Sequence, residues 1–340
     1  MQSIFNLTIE EMKEYFISKG DKPYRSTQIF EWLYRHKIKD FSEMTNQKQD
    51  IINMLKTDFN LNYLKLVTKQ VSVDKTVKFL FELEDGELIE TVLMNHEYGK
   101  SLCVTTQVGC NMGCKFCASG IKKKVRNLTT GEIITQILTV EEILNIKVSH
   151  IVIMGIGEPF DNYGNVMKFL NIANYPKGLE IGARHMSVST CGLVNKIKLF
   201  QESKLQSNLA ISLHASNNDI RNQIMPVNKK YDIYELIQGI KEYIDVTNRR
   251  VTIEYILIKD LNDKKEHANE LANLLRGMNV YVNLIPYNEV IDNPFKRSTK
   301  EAMKIFYDTL KKKKLNVTLR QEQGHDIDAA CGQLRSNMNK

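Results

Sequence analysis

SLCVTT (101–106), TGEIITQILTVEEILNI (130–146) and SHIVIM (149–154) decide the fold, because a strand-like run, an amphipathic helical run and a second strand-like run follow one another. The middle run repeats apolar residues every three to four positions, while the flanking runs are short, rich in β-branched residues and bounded by turns. The alternation continues through HMSVST (185–190), LAISLH (209–214), VTIEYILI (251–258) with a helical stretch before it, VYVNLIP (280–286) and NVTLR (316–320). Repeated βα units predict a parallel sheet or barrel, since a parallel connection has to cross back over one face of the sheet.

Upstream, from Tyr63 to about Leu93, the period changes to two in LKLVTKQVSV, TVKFLFEL and ELIETVLM, with Asp74 and Asp85-Gly86 as turn punctuation. This predicts an antiparallel meander. Residues 1 to about 60 read as short amphipathic helices: Met12, Tyr15 and Phe16 on one face, then QIFEWLYRH (28–36) and MTNQKQDIINMLK (44–56). Arg25, Lys37 and Lys39 make RNA contact one reading of this unit and a solvated helical cap the other. The expected organisation is an N-terminal helical accessory domain over 1–60, a β extension over 61–98 and a core barrel with a C-terminal segment over 99–340.

With 42% hydrophobic and 26% charged residues in 340, the chain is neither disordered nor a disulfide-stapled miniprotein, and it is long enough to bury a large core. Its net charge of +7 leans toward a polyanionic partner. The opening MQSIFNLTIEEMKEYF carries acidic side chains where a secretion signal needs a basic stretch and an apolar run. No span reaches the roughly 18 apolar residues that cross a bilayer. A cytosolic location with reduced thiols is expected. The basic run Lys311 to Lys314 ends a predicted helix; one reading is a solvated face that suits the helix C-terminus, and the other is RNA contact.

In a parallel βα barrel the loops after the strands converge on one mouth. Residues of chemical interest fall at those positions: a cysteine loop, then GIGEP (155–159), STCG (189–192), SLH (212–214), Asn288 and GHDIDAACG (324–332). Cys110, Cys114 and Cys117, spaced x3 and x2, can hold three corners of a cubane iron–sulfur cluster and leave the fourth iron without a protein ligand. The alternative is a closed zinc site with a distant fourth ligand, Cys103 or Cys331 included. Phe116 stands where it would shield the cluster.

CxxxCxxC with an aromatic before its last Cys, followed by a GxGE motif on the next βα unit, resembles the radical S-adenosylmethionine (SAM) enzymes. VTTQVGCNMGCKFCASG (104–120), RNLTTGEI (126–133), IVIMGIGEP (151–159), VSTCGL (188–193), LAISLHA (209–215), MPVNKKY (225–231), NRRVTIEY (248–255), VNLIPYN (282–288) and DIDAACGQLR (326–335) narrow the likeness. With the FEWLY helix (30–34), the whole chain resembles the RlmN family of dual-specificity adenine-C2 methyltransferases of 23S ribosomal RNA and transfer RNA.

The resemblance implies a partial (β/α)6 TIM-like barrel of the radical SAM type, a [4Fe–4S] cluster on Cys110, Cys114 and Cys117, and two SAM molecules per turnover. It implies that Cys331 carries the methyl group, that Cys103 resolves the protein–RNA adduct through a transient disulfide, and that Glu90 accepts the C2 proton. Gly157, Glu158, Ser189, Ser212, Leu213, His214 and Asn288 correspond to SAM contacts; Cys191 reads as a packing thiol. Lys122, Lys123, Lys124 and Arg126 are candidates for RNA backbone contact around an extruded adenine. The expected partners are 23S rRNA, tRNA and an electron donor such as flavodoxin or ferredoxin, with no membrane, and the expected state is a monomer. Two other readings are a Cfr-like adenine-C8 methyltransferase that confers antibiotic resistance, and a non-catalytic iron–sulfur RNA-binding protein or redox sensor.

Overall fold

The computed structural model describes residues 1–120, 123–290, 293–324, 326–328, 332 and 334. Three helices come first: α1 (Ile9–Ser18), α2 (Arg25–Glu31), extended by a π-helical turn over Trp32–His36, and α3 (Gln49–Asp58). Thr8 starts α1 with a capping box: its side chain accepts from Glu11 N–H, and the Glu11 carboxylate accepts from Thr8 N–H. The meander follows as β1 (Lys65–Val71), β2 (Val77–Glu82) and β3 (Leu88–His96), which pairs antiparallel with β4 (Gly99–Cys103).

From β4 the chain alternates. The elements are α4 (Thr130–Leu144), β5 (His150–Ile153), α5 (Tyr163–Asn174), β6 (Met186–Thr190), α6 (Val194–Glu202), β7 (Asn208–Ser212), α7 (Asn218–Ile224) and α8 (Ile233–Thr247). Then come β8 (Val251–Leu257), α9 (Lys265–Leu274), β9 (Val280–Pro286), α10 (Lys300–Lys312) and β10 (Asn316–Leu319). The ten strands lie in one sheet in chain order, with β4 to β10 parallel throughout. Six βα units with a closing seventh strand make the partial (β/α)6 barrel, and the meander continues its β4 edge. Burial explains the strand sequences: Ile151, Ile153, Val188, Ile211, Ile253 and Val282 are buried between sheet and helices.

Two details aim the loops. Thr129 and Glu132 form the capping box of α4, and Asn145 ends that helix with a left-handed φ of 49°. Inside the same helix Gln136 is fully buried; its Oε1 accepts from Thr105 N–H at 2.9 Å and its amide donates to Thr105 O at 2.9 Å. The chain leaving β4 is thereby satisfied where the strand ladder stops, which fixes the take-off of the cysteine loop.

Candidate active site

The cysteine loop rests on α7. Lys115 N–H donates to Ile224 O at 2.9 Å, and Met112, Cys114 and Phe116 pack against buried Ile224 and Met225. Cys110, Cys114 and Cys117 line one cavity of roughly 370 Å³ at the C-terminal ends of the strands. Gly157, Glu158, Ser189, Ser212, His214 and Asn288 line the same cavity, as does Cys103. Leu213 is fully buried behind that wall, where its carbonyl accepts from Arg221 Nε at 3.2 Å. Cys191 is a buried wall residue.

The donor set fits a cationic iron core. Burial pushes the Cys110 thiol up to about 11 and Cys114 further, and neighbouring thiolates add to both shifts. Three thiolates in this place therefore need positive charge among them, which iron supplies. Among the described residues no three His, Cys, Asp or Glu side chains converge to hold a single metal ion.

Gly157 has φ 109°, and a Cβ there would stand 2.6 Å from Gln107 Cβ, so only glycine fits. Glu158 N–H donates to Gln107 Oε1 at 2.8 Å. The Glu158 carboxylate accepts from Phe160 N–H at 3.0 Å and Cys191 N–H at 2.7 Å, tying the loop after β5 to the end of β6. Burial raises its pKa, and those same hydrogen bonds oppose the rise. His214 has φ 57°; its Nδ1 accepts from Ile256 N–H at 3.1 Å and Phe116 meets its ring edge-on at 4.9 Å. Burial, and then the nearby Arg221 guanidinium, lower its pKa to about 3. The ring is neutral, with its proton on Nε2.

Glu90 does not line the cavity. It lies on the face of β3 shared by Val92 and Met94, and Cys103 pairs with Val92 across the strands. Glu90 is 3% exposed and its carboxylate pairs with Lys78 Nζ, 0% exposed, at 2.9 Å. The same carboxylate accepts from Gly332 N–H at 2.6 Å, and Lys78 Nζ donates to Asp328 O at 2.5 Å. Gln70 clasps Asp328 from both sides, at 3.0 and 3.1 Å, and Ser72 and Val73 bind the Asp326 carboxylate. Gly332 itself, at φ 83°, abuts the cysteine loop: a Cβ would lie 2.8 Å from Ser119 N. Cys331, between these anchors, lies outside the described residues.

Among the buried charged residues that the sequence does not single out are Lys78, Arg221 and Glu254. Arg221 is fully buried and donates to Cys191 O, Leu213 O, Asn228 Oδ1 and Tyr231 O, joining three wall loops. Glu254 lines the cavity, bound by Asn283 Nδ2 at 2.8 Å, and burial raises its pKa. The readable signal was a charge inside an apolar strand, as in VKFLFE and VTIEYIL. Several basic RNA-contact candidates are internally paired. Lys124 binds Asp161 at 2.6 Å, and Arg126 binds Asp85 and Glu132. Lys37 binds Glu141 at 2.7 Å and Lys39 binds Glu142. Lys123 is exposed, and Lys122 lies outside the described residues.

Two family profiles match: the Radical SAM superfamily over residues 104–272, and the ribosomal RNA large subunit methyltransferase N-terminal domain over residues 2–61. The chain is 58% identical to a probable dual-specificity RNA methyltransferase RlmN from Acholeplasma laidlawii, across 98% of each chain. It is 55% identical to the protein of the same description from Enterococcus faecalis, across 100% of this chain and 97% of that one. A crystal structure of a radical SAM methyltransferase from Sphaerobacter thermophilus superposes with a TM-score of 0.92 at 40% identity, covering 98% of this chain and 99% of that one.

Proposed function

Because the chain belongs to the RlmN family of radical SAM RNA methyltransferases, we propose that it methylates carbon 2 of one adenosine in the peptidyl transferase centre of 23S rRNA and of the adenosine next to the anticodon in tRNA. Carbon 2 of adenine is electron-poor and has no nucleophilic lone pair, so polar attack on a methyl donor does not serve. A cluster bound there would supply the electron, and SAM would supply both the methyl group and the power to abstract hydrogen. Cys110, Cys114 and Cys117 would hold the cluster. Gly157 and Glu158 would meet the amino end of SAM, with Ser189, Ser212, Leu213, His214 and Asn288 around the rest.

In this reading Cys331 carries the methyl carbon to the adenine, Glu90 takes the proton from carbon 2, and Cys103 attacks the Cys331 sulfur. The sulfur–carbon bond breaks as the disulfide forms, the departing carbon keeps the electron pair and takes a proton to become the methyl group, and the methylated RNA is released. Two SAM per turnover, a flavodoxin or ferredoxin as reductant and a cytoplasmic monomer belong to the same proposal. The observation that supports it most is the placement of Gly332, next to position 331, between Glu90 and the cysteine loop, with Asp328 on the other side of that position held by Lys78, the partner of Glu90. Nucleoside mass spectrometry after reaction with both RNAs tests it: 2-methyladenosine is expected, and 8-methyladenosine would assign the chain to the Cfr-like branch.

A further inference from the structure

A second cavity lies beside the first and is larger, about 660 Å³. The two share one stretch of chain: Glu158 and Pro159 face the cavity of the cysteines, and the next residues, Phe160 and Asp161, face the neighbouring cleft. The cleft walls carry Tyr163, Lys168, Asn195, Lys196, Lys230 and Tyr231. Lys196 stands 5.3 Å over the ring of Tyr163, and Lys230 stands 5.3 Å over the ring of Tyr231. Tyr231 Oη donates to Asn195 Oδ1 at 3.0 Å, which fixes that ring. Asp161 is the carboxylate in the lining, and it is bound by Lys124 Nζ at 2.6 Å and Gln107 Nε2 at 2.8 Å. Lys168 pairs with Glu11. Lys196 and Lys230 form no direct ion pair among the described residues, and Lys196 lies near enough to Asp161 to help Lys124 hold that carboxyl below its usual range.

We propose that this cleft holds the sugar–phosphate backbone of the substrate RNA next to the extruded adenosine, with Lys196 and Lys230 on phosphates, the half-buried Tyr163 ring under the adjoining sugar or base, and the buried Tyr231 ring backing Lys230. The proposal rests on the RNA methyltransferase reading and assigns its backbone subsite. An enzyme that draws one nucleotide out of its stack must grip the flanking chain, and phosphate contacts set that register. Lysines over tyrosine rings, with an asparagine amide alongside, combine the cation and the flat face that single-stranded RNA takes. A concave cleft suits a strand better than it suits the broad face of an acidic flavoprotein. With Lys124 and Arg126 held in ion pairs and Lys168 bound to Glu11, Lys196 and Lys230 are the lysines of the cleft wall left outside any direct ion pair among the described residues.

Fluorescence anisotropy with a tRNA transcript, at a series of KCl concentrations from about 50 to 300 mM, tests the assignment on the full-length protein. Lys196→Gln and Lys230→Gln are compared with Lys198→Gln, an exposed lysine of the same helix α6 that does not line the cleft. Each cleft variant is expected to weaken binding roughly three- to fivefold and to reduce the slope of log K against log[salt] by about one. Lys198→Gln is expected to match the wild type. Equal losses in all three variants, or unchanged slopes in both cleft variants, overturn the proposal while leaving the RNA reading intact. Unchanged RNA affinity with slower reduction by an acidic flavoprotein gives the cleft to the electron donor and overturns it too. A wild-type protein without salt-dependent RNA binding takes down the underlying reading together with the cleft.

Discussion

Cys103 sits at the end of β4 among Val92, Met94, Val152 and Met154, on the cavity wall that also carries the three loop cysteines. If it resolves the adduct, Cys103→Ala removes the last bond exchange and nothing before it. That variant should accumulate an RNA-linked protein band on a denaturing gel, and Cys331→Ala should give none; a Cys103→Ala protein without any adduct would contradict both assignments. His214 gives a pH prediction. Its folded pKa of about 3 lies below the ordinary 6.5 because burial disfavours the charged ring. Between those values the unfolded chain binds the extra proton, so stability is fully present above pH 6.5 and falls as the pH drops toward 3, by up to about 1.4 kcal/mol per pH unit. In urea titrations at pH 7 and pH 5, His214→Asn should lose less stability between the two than the wild type; equal losses would show that another group sets the acid limb. The sequence marked these residues because chemistry confines cysteine and histidine to few places. It was silent about Lys78 and Glu254, whose partners Glu90 and Asn283 come from neighbouring strands.

Elements were legible wherever one period dominated. The run 130–146 forms α4 over Thr130–Leu144, and the three runs of the meander form β1, β2 and β3. The ending of the second helix was not legible: QIFEWLYRH continues its helical pattern, yet the backbone widens to a π turn at Trp32–His36 and leaves it through Lys37 at φ 54°. Nor does periodicity say that the meander's cavity-side face holds the C-terminal segment, because that contact joins residues some 250 positions apart. Lys78 is the centre of this clasp. Diagonal on the strand pair from Glu90, it neutralises that carboxylate and holds Asp328 O. Lys78→Met would leave Glu90 buried without its counter-charge and should destabilise the fold by about 3 to 5 kcal/mol. The double variant Lys78→Met/Glu90→Gln should recover most of that loss in denaturant titrations; an additive result would mean that the pair does not act as a unit.

At the scale of the whole molecule, the helical unit and the barrel share one apolar core. Phe5, Phe30 and Tyr34 belong to the same buried cluster as Ile133, Phe169 and Val188, and Phe30 meets Tyr175 of the loop after α5 edge to face at 5.7 Å. Around that seam run ion pairs between the two parts: Lys37 with Glu141, Lys39 with Glu142, Arg35 with Glu180, Lys177 with Glu31 and Lys168 with Glu11. Basic residues that the sequence offered to RNA are thus partly engaged in holding the chain together, a choice that charge counting could not reveal. Most of these pairs are solvent-facing and each contributes at most about 1 kcal/mol, whereas the apolar seam is screened by no salt. Calorimetry should therefore record one cooperative transition for both parts. Raising KCl to about 1 M, where the Debye length falls to roughly 3 Å, should lower the midpoint slightly without dividing the peak. Two resolved transitions at high salt would mean that charge, not apolar contact, joins the helical unit to the barrel.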